Sequence, residues 1–302
     1  MRVTWKRGLL SVALVLMAIL LAAGLRSRVW PAARTQIYNY DLCFSLKTHA
    51  TGFDIVVPGD SRVYRGVSPS AMRDILPSSR ILNLGYSSGG LSDPLLDRAE
   101  AALDPASSVR VIVLGITPFS LTEEASRNEH IRQYLQSSQS NEQFRQGMAL
   151  LGAFDPLVDA PVAGLQGKSG EQRFYQDGWV ASHSAFVDHR EGLDLYQKHY
   201  SRQQVSASVL AGFLERVAEW RARGIRVFGF RPPTCPEMEA LEDSKSGYIE
   251  DEIRSAFEAA GGRWIATTSE DLVCYDGSHL EAQSALRLSR ELARAIASAL
   301  AE

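Results

Sequence analysis

Residues 53–69 read FDIVVPGDSRVYRGVSP. A short apolar, β-branched run ends abruptly in Pro58-Gly59-Asp60-Ser61-Arg62 and leaves a small hydroxyl at its tip. Gly, Asp and Ser all suit turns, so a change of chain direction would be enough to explain them. The other reading is that the turn presents Ser61 as a nucleophile. The neighbouring sequence bears on the choice, because the same strand–turn–helix pattern recurs.

SPSAMRDIL (68–76) reads as a helix capped by Ser68 with Pro69 at its first position. RILNLGY (80–86) is a second strand, SDPLLDRAEAALD (92–104) a helix capped by Ser92, and VRVIVLGI (109–116) a third strand. The pattern then breaks over residues 121–200, where NEHIRQYLQSSQSNEQF reads as a polar helix and FYQDGWVAS follows a Gly-rich connection. It resumes with VSASVLAGFLERVAEWRAR (205–223), an amphipathic helix stopped by Gly224. IRVFGFRPP (225–233) is a fourth strand, followed by a helix over about 237–260, the short strand RWIAT, and a last helix, SALRLSRELARAIASAL. Strands that are apolar throughout and alternate with helices predict a parallel sheet covered on both faces. The expectation is an α/β fold, a flavodoxin-like three-layer α/β/α sandwich over residues 51–302, with a mostly helical insertion at about 121–200.

Of 302 residues, 45% are hydrophobic and 22% charged, a globular balance. A net charge of −3 gives no basic field for nucleic acid. The N-terminus departs from this average. GLLSVALVLMAILLAAGL (8–25) is an uncharged run of 18 residues, about 27 Å long as a helix, which just reaches across a hydrocarbon core. Arg2, Lys6 and Arg7 precede it, against Arg26 and Arg28 after it. That bias keeps the N-terminus cytoplasmic and exports the remainder, placing the domain in the periplasm on a single-pass anchor (residues 1–28) with a tether at 29–50. The alternative is a cleaved signal peptide ending near Ala22-Ala23-Gly24. Either way the three cysteines meet an oxidising compartment. Cys235 and Cys274, each following a predicted strand, are the expected disulfide, with Cys43 left over; the competing reading makes all three small core residues. No metal-ligand spacing stands out, and His49, His130, His183, His189 and His199 sit in polar stretches that read as solvated surface.

In an open parallel sheet, ligands bind beyond the carboxyl ends of the strands. Pro58-Gly59-Asp60-Ser61, Asn83-Leu84-Gly85, Gly115-Ile116-Thr117-Pro118 and Arg231-Pro232-Pro233 all lie at such ends. Near the C-terminus, CYDGSHL (274–280) carries Asp276 and His279 three residues apart, before the last helix. A serine hydroxyl needs a base. His279 is the candidate, with Asp276 to hold its ring in the useful tautomer. Backbone N–H groups at the start of the helix after Ser61 point where an oxyanion would form.

With these blocks in place the sequence resembles the SGNH (GDSL-type) hydrolase superfamily. The resemblance rests on Gly59-Asp60-Ser61, Asn83-Leu84-Gly85 and Asp276-Gly277-Ser278-His279, and covers roughly residues 53–118 and 225–300. It implies Ser61 as nucleophile, His279 as base and Asp276 as its orienter. It also implies an oxyanion hole built from the N–H groups of Ser61 and Gly85 and a third-block Asn. Here the third block, usually Gly-x-Asn-Asp, reads Gly115-Ile116-Thr117-Pro118, so Thr117 or Asn83 is the expected substitute donor. An anchor, an exported domain and an altered third block are similar to bacterial members that add or remove O-acetyl groups on envelope or exported polysaccharide, often beside a membrane-bound acyltransferase. The implied activity is a cofactor-independent esterase or O-acyltransferase acting on an acylated glycan or acyl donor. A catalytically inactive glycan-binding or scaffold protein of the same fold is the alternative. In the insertion, Tyr175, Asp177, Gly178 and Trp179 are candidates for contacting a sugar, against the plainer reading that the aromatic rings pack the insertion onto the domain.

Overall fold

The computed structural model describes residues 14–19, 21, 36–37, 40–128, 130–135, 171–184 and 187–302. In chain order the strands are β1 (Gln36–Ile37), β2 (Ile55–Gly59), β3 (Ile81–Gly85), β4 (Val111–Gly115), β5 (Glu171–Tyr175), β6 (Val180–His183), β7 (Arg226–Phe230) and β8 (Arg263–Trp264). The helices before the insertion are α1 (Tyr40–His49), α2 (Ser61–Gly66), α3 (Pro69–Arg73) and α4 (Asp93–Ala102). Within it lie α5 (Glu123–Ser126), α6 (His130–Leu135) and α7 (Arg190–Tyr200). After it come α8 (Ala207–Ala222), α9 (Pro236–Lys245), α10 (Glu250–Ala259) and α11 (Ala282–Ala301).

Five strands form a parallel sheet in the order β3-β2-β4-β7-β8. Counted within the sheet this is 2-1-3-4-5, the flavodoxin-like order, whose switch point falls between β2 and β4. Alternate side chains of each strand enter opposite layers. Val56, Leu82 and Ile112 pack with Leu95, Phe213, Trp220 and Phe257 on one face; Ile55, Ile81 and Val113 pack with Met72, Leu288, Leu292 and Ile296 on the other. Burial on both faces is why these strands read as unbroken apolar runs.

The abrupt stop at Pro58 has a structural cause. Pairing of β2 with β4 is confined to Ile55 and Val56, so the proline's missing N–H falls where the two strands have parted. Val63, from α2, wedges into that gap. A Cβ on Gly59 or on Gly115 would lie 2.3 or 2.1 Å from its Cγ2, so both strand ends must be glycine.

The described part of the insertion is less helical than expected. FYQDGWVAS forms the β5–β6 hairpin, which joins β1 in a separate antiparallel sheet, β1-β5-β6. Residues 136–170 lie outside the described residues, as does most of the expected 8–25 anchor. Residues 14–19 and 21 of that run are helical and exposed; among the described residues no helix is long and apolar enough to cross a membrane. The expected single helix over 237–260 is two, α9 and α10. The Ser246 hydroxyl donates to the Glu242 carbonyl (2.7 Å) and accepts the Tyr248 N–H (3.0 Å), which breaks the helix and buries Tyr248.

The stretch read as a tether holds α1, whose Phe44 and Lys47 are fully buried. The Lys47 ammonium donates to the carbonyls of Gly85 and Gly178 and lies 4.0 Å from the centre of the Phe44 ring. Burial lowers its pKa to about 7. The unfolded chain therefore binds the extra proton from about pH 7 to the ordinary lysine value, and stability gained from this group rises with pH across that window. In urea unfolding between pH 7 and 9, the wild type is expected to gain up to about 1.4 kcal/mol per pH unit relative to Lys47→Met; parallel profiles would refute this.

Candidate active site

Ser61 is the first residue of α2, directly after the carboxyl end of β2. Asp60 caps the helix, its side chain accepting the Arg62 N–H at 2.9 Å. With the Asp60 carboxylate so placed, the Ser61 N–H stands in the helix's first turn, where intrahelical acceptors are lacking. Asp60 is itself buried; burial raises its pKa, against the opposing pull of Arg62 and of the Thr117 hydroxyl, which donates to it at 2.5 Å.

The loop between β8 and α11 returns to this point from the other end of the chain. Asp276 Oδ1 accepts the N–H groups of Ser278 (3.0 Å) and His279 (2.8 Å), and Tyr275 N–H closes the turn onto the His279 carbonyl at 3.1 Å. Its other oxygen, Oδ2, lies 2.7 Å from His279 Nδ1, and His279 Nε2 lies 2.8 Å from Ser61 Oγ. Ionised carboxylate only accepts, so Nδ1 carries the proton and Nε2 is left to receive the one on Ser61. Burial alone would raise Asp276; the hydrogen bond from His279 Nδ1 and the N–H groups of His279 and Ser278 outweigh it and bring the carboxyl to about 2. For His279, burial and then the neighbouring Arg65 lower the pKa, outweighing Asp276. The ring is thus held neutral, as a proton acceptor must be.

Two arginines on α2, which the motifs do not single out, hold this arrangement. Arg65 stacks near Tyr275, donates to its hydroxyl, and stands 3.9 Å from Asp276 Oδ2. Arg62 is buried. Its Nε donates to Ser278 Oγ (3.0 Å), and its two terminal nitrogens donate to Glu242 of α9 at 3.2 and 2.6 Å. Glu242 also accepts from Tyr200 (3.1 Å) and Arg231 (3.2 Å). Nothing in the spacing of Glu242, 180 positions from Arg62, marks the pair in the sequence.

The expected oxyanion donors fare differently. Asn83 donates its amide to the carbonyls of Val63 (2.8 Å) and Val67 (2.6 Å), and its Oδ1 accepts the Gly85 N–H at 2.9 Å. Asn83 and the Gly85 N–H are therefore committed to anchoring α2. Gly85 is glycine because a Cβ would lie 2.5 Å from Tyr64 N: the helix backbone, not a substrate, makes the close approach. Thr117, bound to Asp60, likewise has its hydroxyl proton spent. Of the expected donors, only the Ser61 N–H stays in position.

Trp179, expected to contact a sugar, is not free to do so, and Tyr175 is half-buried. Trp179 is buried, donates to the Arg65 carbonyl at 2.9 Å and stacks on Tyr175 at 5.0 Å. Asp177 pairs with Arg73 at 3.2 Å, and its carbonyl accepts the Asn83 N–H. The hairpin is docked on the sheet edge by these groups, as the plainer reading had it. The Cys235–Cys274 disulfide is not formed. Both are free buried thiols, as is Cys43, and Cys235 Sγ instead caps α9 by accepting the Met238 N–H at 3.4 Å. His183 and His199 are not simply solvated either, lying 2.7 Å from Glu281 and 3.6 Å from Glu124.

In chain order the Gly-Asp-Ser turn follows the first sheet strand, Asn83-Leu84-Gly85 forms the carboxyl end of the second, and the Asp-x-x-His loop precedes the last helix. No family model and no curated protein matches the sequence. Among solved structures, the chain is similar to a protein from Streptococcus pneumonia provisionally described as a platelet activating factor, with 14% identity, 85% of this chain and 91% of that one covered, and a TM-score of 0.39. It is also similar to Est24, a carbohydrate acetylesterase from Sinorhizobium meliloti, at 13% identity, 81% and 98% coverage, and a TM-score of 0.33. An aryl esterase from M. smegmatis matches at 9% identity over the same shares, again with a TM-score of 0.33. These likenesses are loose, and the site is read from its own geometry.

Removing Glu242 would take the carboxylate from the buried Arg62 guanidinium, while Arg231 keeps Asp243 (2.8 Å) and Glu250 (3.3 Å). Glu242→Ala is expected to cost about 3–5 kcal/mol in denaturant unfolding, and a loss under about 1 kcal/mol would contradict this account of the network.

Proposed function

We propose that this chain is a serine acyl-ester enzyme, an esterase or O-acyltransferase, with Ser61 as nucleophile, His279 as general base and Asp276 as its orienter. The observation that carries the reading is the unbroken hydrogen-bond line from Ser61 Oγ through His279 to Asp276, with steps of 2.8 and 2.7 Å. In this mechanism Ser61 Oγ attacks the acyl carbonyl as its proton passes to His279 Nε2. The imidazolium, stabilised by Asp276, returns that proton to the departing alcohol and leaves an acyl-enzyme. Water or a sugar hydroxyl, deprotonated by His279, then releases the acyl group.

The developing oxyanion is received by the Ser61 N–H and by a second backbone donor, for which Ser88 is the proposed source. It lies in the turn after β3, in the left-handed region at φ 53, and the adjacent Gly89 packs against the Gly59 carbonyl. A hole without an Asn side chain makes the enzyme slower than a fully equipped esterase, since one donor typically contributes about 10²–10³ in rate. The same economy of donors favours the second reading, a non-catalytic scaffold or glycan-binding protein that kept the fold.

As substrate class we propose O-acetyl groups on envelope or exported polysaccharide, met outside the cytoplasmic membrane with residues 8–25 as anchor and a membrane-bound acyltransferase as partner. What supports this is the charge bias around the 18-residue apolar run and the exposed apolar side chains of its described part, Leu14 to Ile19 and Leu21.

Hydrolysis of p-nitrophenyl acetate tests the catalytic reading. Ser61→Ala is expected to lower kcat/KM by about 10³-fold or more, and equal rates would leave the scaffold reading in its place. The acid limb of kcat/KM reports the free enzyme's base, so it is expected below the ordinary histidine value of about 6.5. Arg65→Gln removes a cation that disfavours the imidazolium, which raises the His279 pKa and moves that limb to higher pH. A limb unmoved, or moved to lower pH, would show that Arg65 does not act on His279.

A further inference from the structure

Behind the loop that carries Asp276 and His279 stands a group of side chains that the proposed chemistry does not use. His189, Cys235 and Glu237 converge there, and one nitrogen, sulfur or oxygen atom from each lies within 4.8 Å of the others. Cys235 is the N-cap of α9, Glu237 lies in that helix's first turn, and His189 immediately precedes α7.

The hydrogen bonding fixes which atoms of this group are free to accept. His189 Nε2 lies 3.0 Å from the Cys274 carbonyl, which can only accept, so Nε2 carries a proton. In the neutral ring the lone pair is then on Nδ1, and Nδ1 faces Glu237 Oε2 at 3.7 Å. A cation seated between them would be shared by both acceptors. A second proton on the imidazole is one answer; the Cys235 thiol, which is hydrogen-bonded to the same Glu237 carboxylate, brings a third donor atom to the same point. A metal ion uses all three donors. Moreover, a ring nitrogen held by a backbone carbonyl is the usual way a metal-ligating histidine is oriented.

We propose that His189, Cys235 and Glu237 form a binding site for a divalent cation of the zinc class. One imidazole nitrogen, one thiolate and one carboxylate oxygen suit Zn²⁺ better than the harder Mg²⁺ or Ca²⁺, and three protein ligands leave a fourth position for water. Burial pushes the Cys235 thiol up to about 11, so without metal the sulfur is protonated. Binding therefore displaces that proton: the S–H bond breaks, a sulfur–metal bond forms, and one H⁺ goes to solvent. The ion would join two segments, each of which already touches the loop holding Asp276 and His279. Asp188 N–H donates to the Tyr275 carbonyl (3.0 Å) and Cys235 N–H to the Gly277 carbonyl (3.1 Å), so the loop holding Asp276 and His279 is braced by both neighbours of the site.

The test is zinc binding by the full-length chain, a readout independent of whether Ser61 reacts. After EDTA treatment, ZnCl₂ titration by calorimetry in two buffers is expected to give one ion per chain, a Kd tighter than about 10 µM and release of about one proton. Saturating zinc is expected to raise Tm by about 5 °C. Cys235→Ser and Glu237→Gln should each weaken binding by about 10-fold or more, whereas His183→Ala, a histidine paired elsewhere, should not. Glu237 is exposed, so its variant reports on binding without a folding defect. A Kd weaker than about 10 µM, or unchanged affinity in either ligand variant, overturns the proposal.

Discussion

Arg62 joins the two ends of the domain. It follows the nucleophile in sequence, yet its guanidinium is spent on Ser278, in the loop of the base, and on Glu242, in a helix that neither motif predicts. A buried guanidinium is tolerable only when its charge is paired and its donors are satisfied. Here that requirement does mechanical work: α2 cannot be packed without bringing loop 274–279 and α9 to it. Residues 218 positions apart, Ser61 and His279, meet because their immediate neighbours have to.

The crevice in which they meet comes from the sheet. A flavodoxin-like order forces neighbouring connections to opposite faces at β2 and β4, and the strands part there. Pro58, which cannot donate, and Gly59 and Gly115, which have no Cβ, allow Val63 into the gap. The geometry that seats the nucleophile helix also consumes most nearby donors. Asn83 and Thr117 tie α2 and Asp60 to β3 and β4 in place of reaching toward a reacting carbonyl. Rigid seating of the nucleophile and a sparse oxyanion hole thus share one origin.

Much of this was legible in the sequence, for identifiable reasons. Doubly buried strands announce themselves as continuous apolar runs, and Ser68 with Pro69 marked the start of α3 by local chemistry alone, its hydroxyl accepting the Ala71 N–H at 3.3 Å. Ser61 was legible because motif and strand end coincide, and Asp276 and His279 because an Asp-x-x-His spacing precedes the last helix. What stayed hidden is non-local. Lys47 looks like any surface lysine until three aromatic rings surround it. Trp179 carried the composition of a sugar platform, but the Arg65 carbonyl takes its N–H and the core takes its ring. Cys235 and Cys274 were placed by strand ends, which bring them into one core cluster without joining their sulfurs.

The account stands on the claim that His279 activates the Ser61 hydroxyl. Intact-mass and peptide-mapped labelling with a fluorophosphonate probe tests it most directly, because the probe reacts with an activated serine and reports the residue modified. The account predicts one adduct, on Ser61, that disappears in His279→Ala and is slowed in Asp276→Asn. No adduct on the folded wild-type chain, or labelling of Ser61 at the same rate without His279, would contradict it.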